Sequence, residues 1–192
     1  MRHEVRFAGF GGQGIILAAV ILAEAAGTYE NKEVAQTQSY GPEARGGAAR
    51  AEVVISEEKI TYIKAMNPDI FLLFSQPALD RYVADIDCSH AIVLIDNTIV
   101  SSWPSDIVHL YAISATQLAE KILEKKIVAN IVMLGAMAAL TDVVTLSSLQ
   151  NALTSHLPSS VLELNLQALQ LGFQEGQRFK FEIESVRTHE SV

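Results

Sequence analysis

A short strand running straight into glycines, with a helix opening at the last of them, leaves a chain few folds to choose from. Val5-Arg6-Phe7-Ala8 reads as the strand, and Gly9-Phe10-Gly11-Gly12-Gln13-Gly14 follows it. Gln13 to Ala26 then reads as a helix, apolar all round in its first two turns and therefore buried on most faces, with Gly27 placed to close it. G-x-G-x-x-G between a strand and a helix is the setting in which the pattern has physical meaning. The first glycine permits a tight turn, the second lets backbone approach an anion, and the third lets helix and strand pack closely. The helix N-terminus then faces the ligand.

The rest of a dinucleotide site is missing. Such a site needs Asp or Glu at the end of the second strand, to bind the ribose hydroxyls. Here the second strand, Glu33 to Ser39, ends in Gln38-Ser39, and Glu33 lies at its start, away from the crevice. The spacing of Gly9 and Gly14 also fits a P-loop, but Ile15-Ile16 stands where Lys-Ser/Thr is needed. Three readings stay open: an NAD or FAD site, a site for another anion or polar ligand, and plain turn geometry or a protein contact.

The stretch from Ser39 to Gly47 is a loop by composition. Following the second strand, it is expected at the carboxyl edge of the sheet, beside the glycine run. It sets Tyr40, Glu43 and Arg45 among Gly41, Gly46 and Gly47. Arg45 suits a carboxylate or phosphate of a ligand or partner. The alternative is a weak surface ion pair with Glu43.

Further along, Ala51 to Ser56 and Ile60 to Ile63 look like a hairpin across Glu57-Glu58-Lys59. Asp69 to Phe74, Ala91 to Asp96 and Ile107 to Ile113 are apolar runs suited to strands covered on both faces. Pro77 suits the first turn of a helix continuing towards Val83. Capping boxes at Ser114, Ser147 and Ser160 open helices to about Lys126, His156 and Gly172. Val128 to Leu140 is an apolar helix carrying Asn130, a buried amide that must bond a loop backbone or face a site. The order predicts α/β: a single Rossmann-like domain with a mostly parallel sheet, a β-hairpin excursion and a helical C-terminal part. The domain should span residues 1–176, with residues 177–192 an extended tail.

Composition narrows the function. Hydrophobic residues make up 49% of the 192, which excludes a disordered chain. Fourteen basic against 22 acidic residues give a net charge of −8 with no basic run, so no nucleic-acid partner is expected. Ile15 to Ala23 and Ile131 to Leu140 are too short to span a bilayer, and Glu4 spoils a signal-peptide reading of the N-terminus. A cytoplasmic protein is expected. The single cysteine, Cys88, cannot form an internal disulfide or supply the four thiolates of an iron–sulfur cluster. Asp85, Asp87 and His90 beside it read as a solvated loop rather than a metal site.

Three stretches in order carry a family resemblance. They are Gly9 to Gly14; Gln36-Thr37-Gln38-Ser39-Tyr40-Gly41-Pro42-Glu43-Ala44-Arg45-Gly46-Gly47; and Val128-Ala129-Asn130-Ile131-Val132-Met133-Leu134-Gly135. Together they resemble the gamma subunit of 2-oxoacid:ferredoxin oxidoreductases, closest to the 2-oxoglutarate type. The resemblance implies an accessory chain in an enzyme that oxidatively decarboxylates a 2-oxoacid to an acyl-CoA and passes electrons to ferredoxin. It also implies alpha and beta partners, and a delta ferredoxin-like one in some enzymes. Thiamine diphosphate, Mg and iron–sulfur clusters would sit in those partners, with none held by this chain alone and CoA as co-substrate. On that analogy Gly9, Gly11, Gly12, Gln13, Gly14, Ser39, Tyr40, Gly41, Glu43, Arg45, Gly46, Gly47 and Asn130 line a ligand or subunit surface. No catalytic residue is assigned. The rival readings are a stand-alone NAD- or FAD-binding protein and a scaffold that binds no ligand.

Overall fold

In the computed structural model the described residues are 1–39 and 49–189, with side chains as far as residue 182. Six strands form one sheet: β1 (Arg2–Gly9), β2 (Glu33–Ser39), β3 (Ala49–Ser56), β4 (Ile70–Leu73), β5 (Ile92–Asp96) and β6 (His109–Ile113). Their order is β2-β3-β1-β4-β5-β6. The pairs β1–β4, β4–β5 and β5–β6 are parallel, whereas β1–β3 and β2–β3 are antiparallel. The sheet is therefore mixed, with a parallel half and an antiparallel half.

The expected hairpin is displaced. β3 already has a partner on each side, since Val53 pairs with both Val5 and Gln36. No ladder position is left for residues 60–63, which form no strand despite their alternating pattern. The antiparallel partner of β3 is β2 instead. The segment 57–69 runs along the amino edge of the sheet, from the end of β3 to the start of β4. Two antiparallel steps make β2 run the same way as β1, so Ser39 and Gly9 lie at the same carboxyl edge, flanking Arg50 and Ala49 of β3.

Helices cover the sheet unequally. One face packs against α1 (Ile15–Glu24), α4 (Ala129–Thr141), α5 (Leu146–His156) and α6 (Ser159–His189), around Phe7, Val53, Leu72 and Leu94. The other face carries α2 (Gln76–Tyr82) over Phe71, Leu73 and Val93. α2 is capped by Ser75, whose Oγ accepts from Ala78 N, with Pro77 in its first turn. On the same face the buried Arg6 sends Nε to Glu52 Oε1 at 2.8 Å and Nη1 to Asp85, and its guanidinium lies 5.2 Å from the Tyr82 ring centroid. Pairing and ring contact are what let a strand bury an arginine.

Several helix boundaries differ from the sequence expectation. α1 does not stop at Gly27 but passes into a π-helical turn, Ala25–Tyr29. α3 (Ala115–Leu123) follows Ser114, yet Ser114 makes no capping bond; its hydroxyl turns to Asn97 Oδ1. α5 opens two residues earlier than Ser147, capped by Thr145, whose side chain accepts from Ser148 N.

The C-terminal part departs most. Gly172 does not end α6, and residues 177–189 are helical rather than an extended tail. Ion pairs at helical spacing, Arg178 with Glu175 and Glu182, hold that stretch in the helix. Gly172 has a packing role: a Cβ there would collide with the Val132 carbonyl oxygen of α4, and one on Gly135 would collide with that of Leu169 in α6. Gly176 meets Ala136 in the same way, four residues on in both helices. α4 and α6 therefore run parallel in backbone contact, from the carboxyl edge to the amino edge of the sheet.

Candidate ligand cavity at the carboxyl edge

At the carboxyl edge the glycine run crosses from β1 to α1. Gly12 and Gly14 adopt positive φ, +91° and +72°, which L side chains rarely take. Space around Gly12 is open, but a Cβ on Gly14 would strike the Asn130 amide. Helix–strand packing is the expected reason for a third glycine, but here its space is taken by α4. Asn130 Nδ2 donates to Gly14 O at 2.9 Å, tying the first turn of α4 to the loop. Gln13 ties the loop to the sheet. Its Oε1 accepts from Phe10 N at 2.6 Å, and its Nε2 donates to Phe74 O at 2.8 Å. Gly9, the last residue of β1, leaves no room for a side chain against Gln13 and Phe74. Gly11 is exposed on the turn.

Beside this loop lies a cavity of about 340 Å³. Gly12, Gln13, Asn130, Asp96, Thr116 and Lys126 supply its polar lining. α1, α3 and α4 all begin there; the first turn and dipole of α1 favour an anion, whereas the early amides of α3 are taken by Asp96 and Thr98. Lys126 adds a cation within the lining and pairs with Glu120 Oε1 at 3.0 Å. Asp96, fully buried at the end of β5, is already satisfied. It accepts from Thr98 N at 3.1 Å and from Thr116 N at 3.0 Å and Oγ1 at 2.5 Å, anchoring the start of α3. Phe74, Ile99 and Ile127 make the remaining wall apolar, with Ile127 73% exposed. A ligand with one anionic and one apolar part matches this lining.

Of the residues singled out from the sequence, the structure brings together Gly9, Gly11, Gly12, Gln13, Gly14 and Asn130. It places Ser39 at the same edge, two strands away. Tyr40, Gly41, Glu43, Arg45, Gly46 and Gly47 lie outside the described residues. Asp96, Thr116, Lys126 and Ile127 were missed. Asp96 ends an apolar strand at the carboxyl edge, and that position was the signal available for it.

The residues around Cys88 pair among themselves. Asp87 accepts from Ser89 N at 3.0 Å and lies 3.1 Å from His90 Nδ1, contacts that hold its carboxyl below the usual carboxylate range. Burial, with Asp106 nearby, pushes the Cys88 thiol up. Among the described residues no group of three or more His, Cys, Asp or Glu is placed to hold a metal ion, and no helix is long and apolar enough to cross a membrane.

The fold is an α/β unit with a glycine loop and a cavity at the carboxyl edge of its sheet, and its single cysteine cannot by itself supply the thiolates of a cluster. Its sequence from residue 4 to 175 matches the pyruvate ferredoxin/flavodoxin oxidoreductase family model. The chain belongs to that family. It is 49% identical over 176 residues to the 2-oxoglutarate synthase subunit KorC of Methanocaldococcus jannaschii, covering 91% of this chain and 94% of that one. Its fold is similar to the keto/oxoacid ferredoxin oxidoreductase gamma subunit of Geobacter sulfurreducens, with TM-score 0.81 and 42% identity over 91% of this chain and 98% of that one. It is also similar to a chain of the 2-oxoglutarate:ferredoxin oxidoreductase of Magnetococcus marinus, solved with 2-oxoglutarate, coenzyme A and succinyl-CoA bound. There the TM-score is 0.78 at 25% identity, over 92% of this chain but only 31% of that one.

Proposed function

We propose that this chain is the gamma-type subunit of a 2-oxoglutarate:ferredoxin oxidoreductase, and that its carboxyl-edge cavity receives an anionic end of CoA. The enzyme converts a 2-oxoacid and CoA to an acyl-CoA and carbon dioxide, passing two electrons to ferredoxin. The observation that carries the reading is the cavity where three helices begin around Lys126, in a chain 49% identical to a 2-oxoglutarate synthase subunit. The cofactors belong to alpha- and beta-type partners, and to a ferredoxin-like delta partner where there is one, because one cysteine cannot ligate a cluster through four thiolates. Thiamine diphosphate, bound in those partners, supplies the decarboxylation chemistry.

This chain's own residues bind and position. The loop held by Gln13 and Asn130 presents backbone to an anion, Lys126 balances its charge, and Phe74, Ile99 and Ile127 exclude water from its apolar part. Ser39 and Ala49, the described residues on either side of Tyr40, Gly41, Glu43, Arg45, Gly46 and Gly47, lie at the edge that carries the cavity, which supports assigning these residues to the same ligand or subunit surface. Residues 1–176 form the gamma-type domain, and the cytoplasm is its compartment.

Reconstitution tests the reading. Partner subunits with this chain should turn over 2-oxoglutarate faster than pyruvate. The chain alone, given 2-oxoacid, thiamine diphosphate, CoA and a viologen dye, should be inactive. Turnover by the isolated chain, or bound flavin in it, would overturn the proposal.

A further inference from the structure

The two outer strands of the sheet end it in different ways. β6 is five residues long, whereas β2 runs for seven, Glu33–Ser39, and pairs only with β3 among the described residues. That pairing is one-to-one from Glu33 with Ser56 to Ser39 with Arg50, and no bulge twists the edge away. In an antiparallel ladder every second residue turns its N–H and C=O away from its partner, so β2 holds a row of backbone donors and acceptors along its outer side. Proteins protect such an edge with proline, with lysine or other charges, with a bulge, or by keeping the strand very short. Val34-Ala35-Gln36-Thr37-Gln38-Ser39 has none of these devices. Glu33 is the one charge of the strand, and it stands at the end.

We infer that β2 pairs with β2 of a second copy of this chain, antiparallel and centred on Gln36, joining two six-stranded sheets into one. A two-fold axis is what makes one edge meet itself. In that register Gln36 faces Gln36, Ala35 faces Thr37, Val34 faces Gln38 and Glu33 faces Ser39, so no charge opposes a like charge. Copies with a net charge of −8 repel one another, and an uncharged strand is the place where they meet at least cost. Val34, Gln36 and Gln38 lie on the sheet face of Phe7 and Val53, and Ala35 and Thr37 on the face of Arg6 and Glu52. The self-pairing keeps each set on its own face. It also turns the carboxyl edges of the two copies to opposite ends of the joined sheet. Each cavity therefore stays open, free to be covered by a subunit that holds the cofactor. The inference stands on the strand edge and does not depend on the gamma-subunit reading.

Sedimentation of the full chain without partner subunits tests this. The wild type should dimerise, and hydrogen exchange in residues 33–39 should slow as its concentration rises. Gln36→Lys and Gln36→Glu each set two like charges opposite one another at the axis. Each should weaken the dimer about fivefold with an unchanged circular dichroism spectrum. Mixed in equal amounts, the two variants should recover the wild-type dissociation constant, because lysine then faces glutamate; two misfolded variants would not rescue each other. A free chain that stays monomeric at every concentration, or a mixture that associates no more tightly than either variant alone, would overturn the inference and leave the gamma-subunit reading intact. A dimer indifferent to both substitutions would overturn it in favour of another surface. Slowing in residues 33–39 only when alpha- and beta-type partners are added would overturn it in favour of a partner subunit's strand.

Discussion

The two edges of the sheet are built on opposite principles. At the carboxyl edge, side chains are spent on holding backbone: Gln13 and Asn130 fix the glycine run, and Asp96 takes up the Thr116 amide in the first turn of α3, with a cavity left beside the loop. At the amino edge, charged groups bond backbone and each other, through Arg2, Glu4 and Glu30, while large apolar side chains point out. The first arrangement leaves a cavity lined partly by backbone; the second leaves large apolar side chains exposed to water. The parallel helices α4 and α6 span the distance between them.

Breaking that strut should have the largest effect. Gly172→Val drives a side chain into the Val132 carbonyl, which backbone cannot yield cheaply. Overpacking of this kind costs about 3 kcal/mol, read as a lower urea midpoint with both edges loosened in hydrogen exchange. Unchanged stability would show that the helices can separate freely.

Next is the interlock at the cavity. Gly14→Ala forces a left-handed conformation costing about 1–2 kcal/mol and also meets the Asn130 amide. In an Asn130→Ala background the collision disappears, so Gly14→Ala should cost less there than in the wild type. Simple additivity in denaturant unfolding would mean that the two residues do not interlock.

Cys88 sharpens the contrast, since it belongs to neither edge's function. With its thiol pushed up by burial and Asp106, it stays protonated at neutral pH. Alkylation by iodoacetamide should therefore be slower than for a free cysteine. Equal rates would contradict that environment.

The smallest effect belongs to Glu30 at the amino edge. Burial raises its pKa, but bonds from Lys32 and from the Thr145 and Ser148 side outweigh that and hold it below the ordinary 4.5. A carboxyl lowered in the fold adds stability above its unfolded value and loses it as pH falls. Glu30→Gln should thus narrow the stability difference between pH 7 and pH 3, seen in thermal melts at the two values. An unaltered difference would show that the ion pair is solvated away.

Much of this contrast is legible in the sequence. β4 and β5 announce themselves as apolar runs, α4 as an apolar helix, and the glycine run marks the carboxyl edge. Asn130 stands out because a buried amide needs a partner, and it has one in Gly14. The failures share a cause: local signals overruled by neighbours. Residues 60–63 alternate like a strand, but both sides of β3 were taken. Gly27 and Gly172 look like helix ends, yet Gly172 admits a neighbouring backbone and the helix continues. Residues 177–189 look polar and loose until Glu175, Arg178 and Glu182 are read at helical spacing. Lys126 and Thr116 carry no motif; only the folding of α3 and α4 towards β5 brings them to the glycine run.

The most direct test of the account is a CoA titration of the assembled enzyme carrying Lys126→Ala, an exposed change that spares the core. The account predicts that KM for CoA rises about tenfold, the loss of one charged contact of about 1.4 kcal/mol, with kcat and KM for 2-oxoglutarate unchanged. An unchanged KM for CoA, or a fall in kcat alone, would contradict a binding role for the carboxyl-edge cavity.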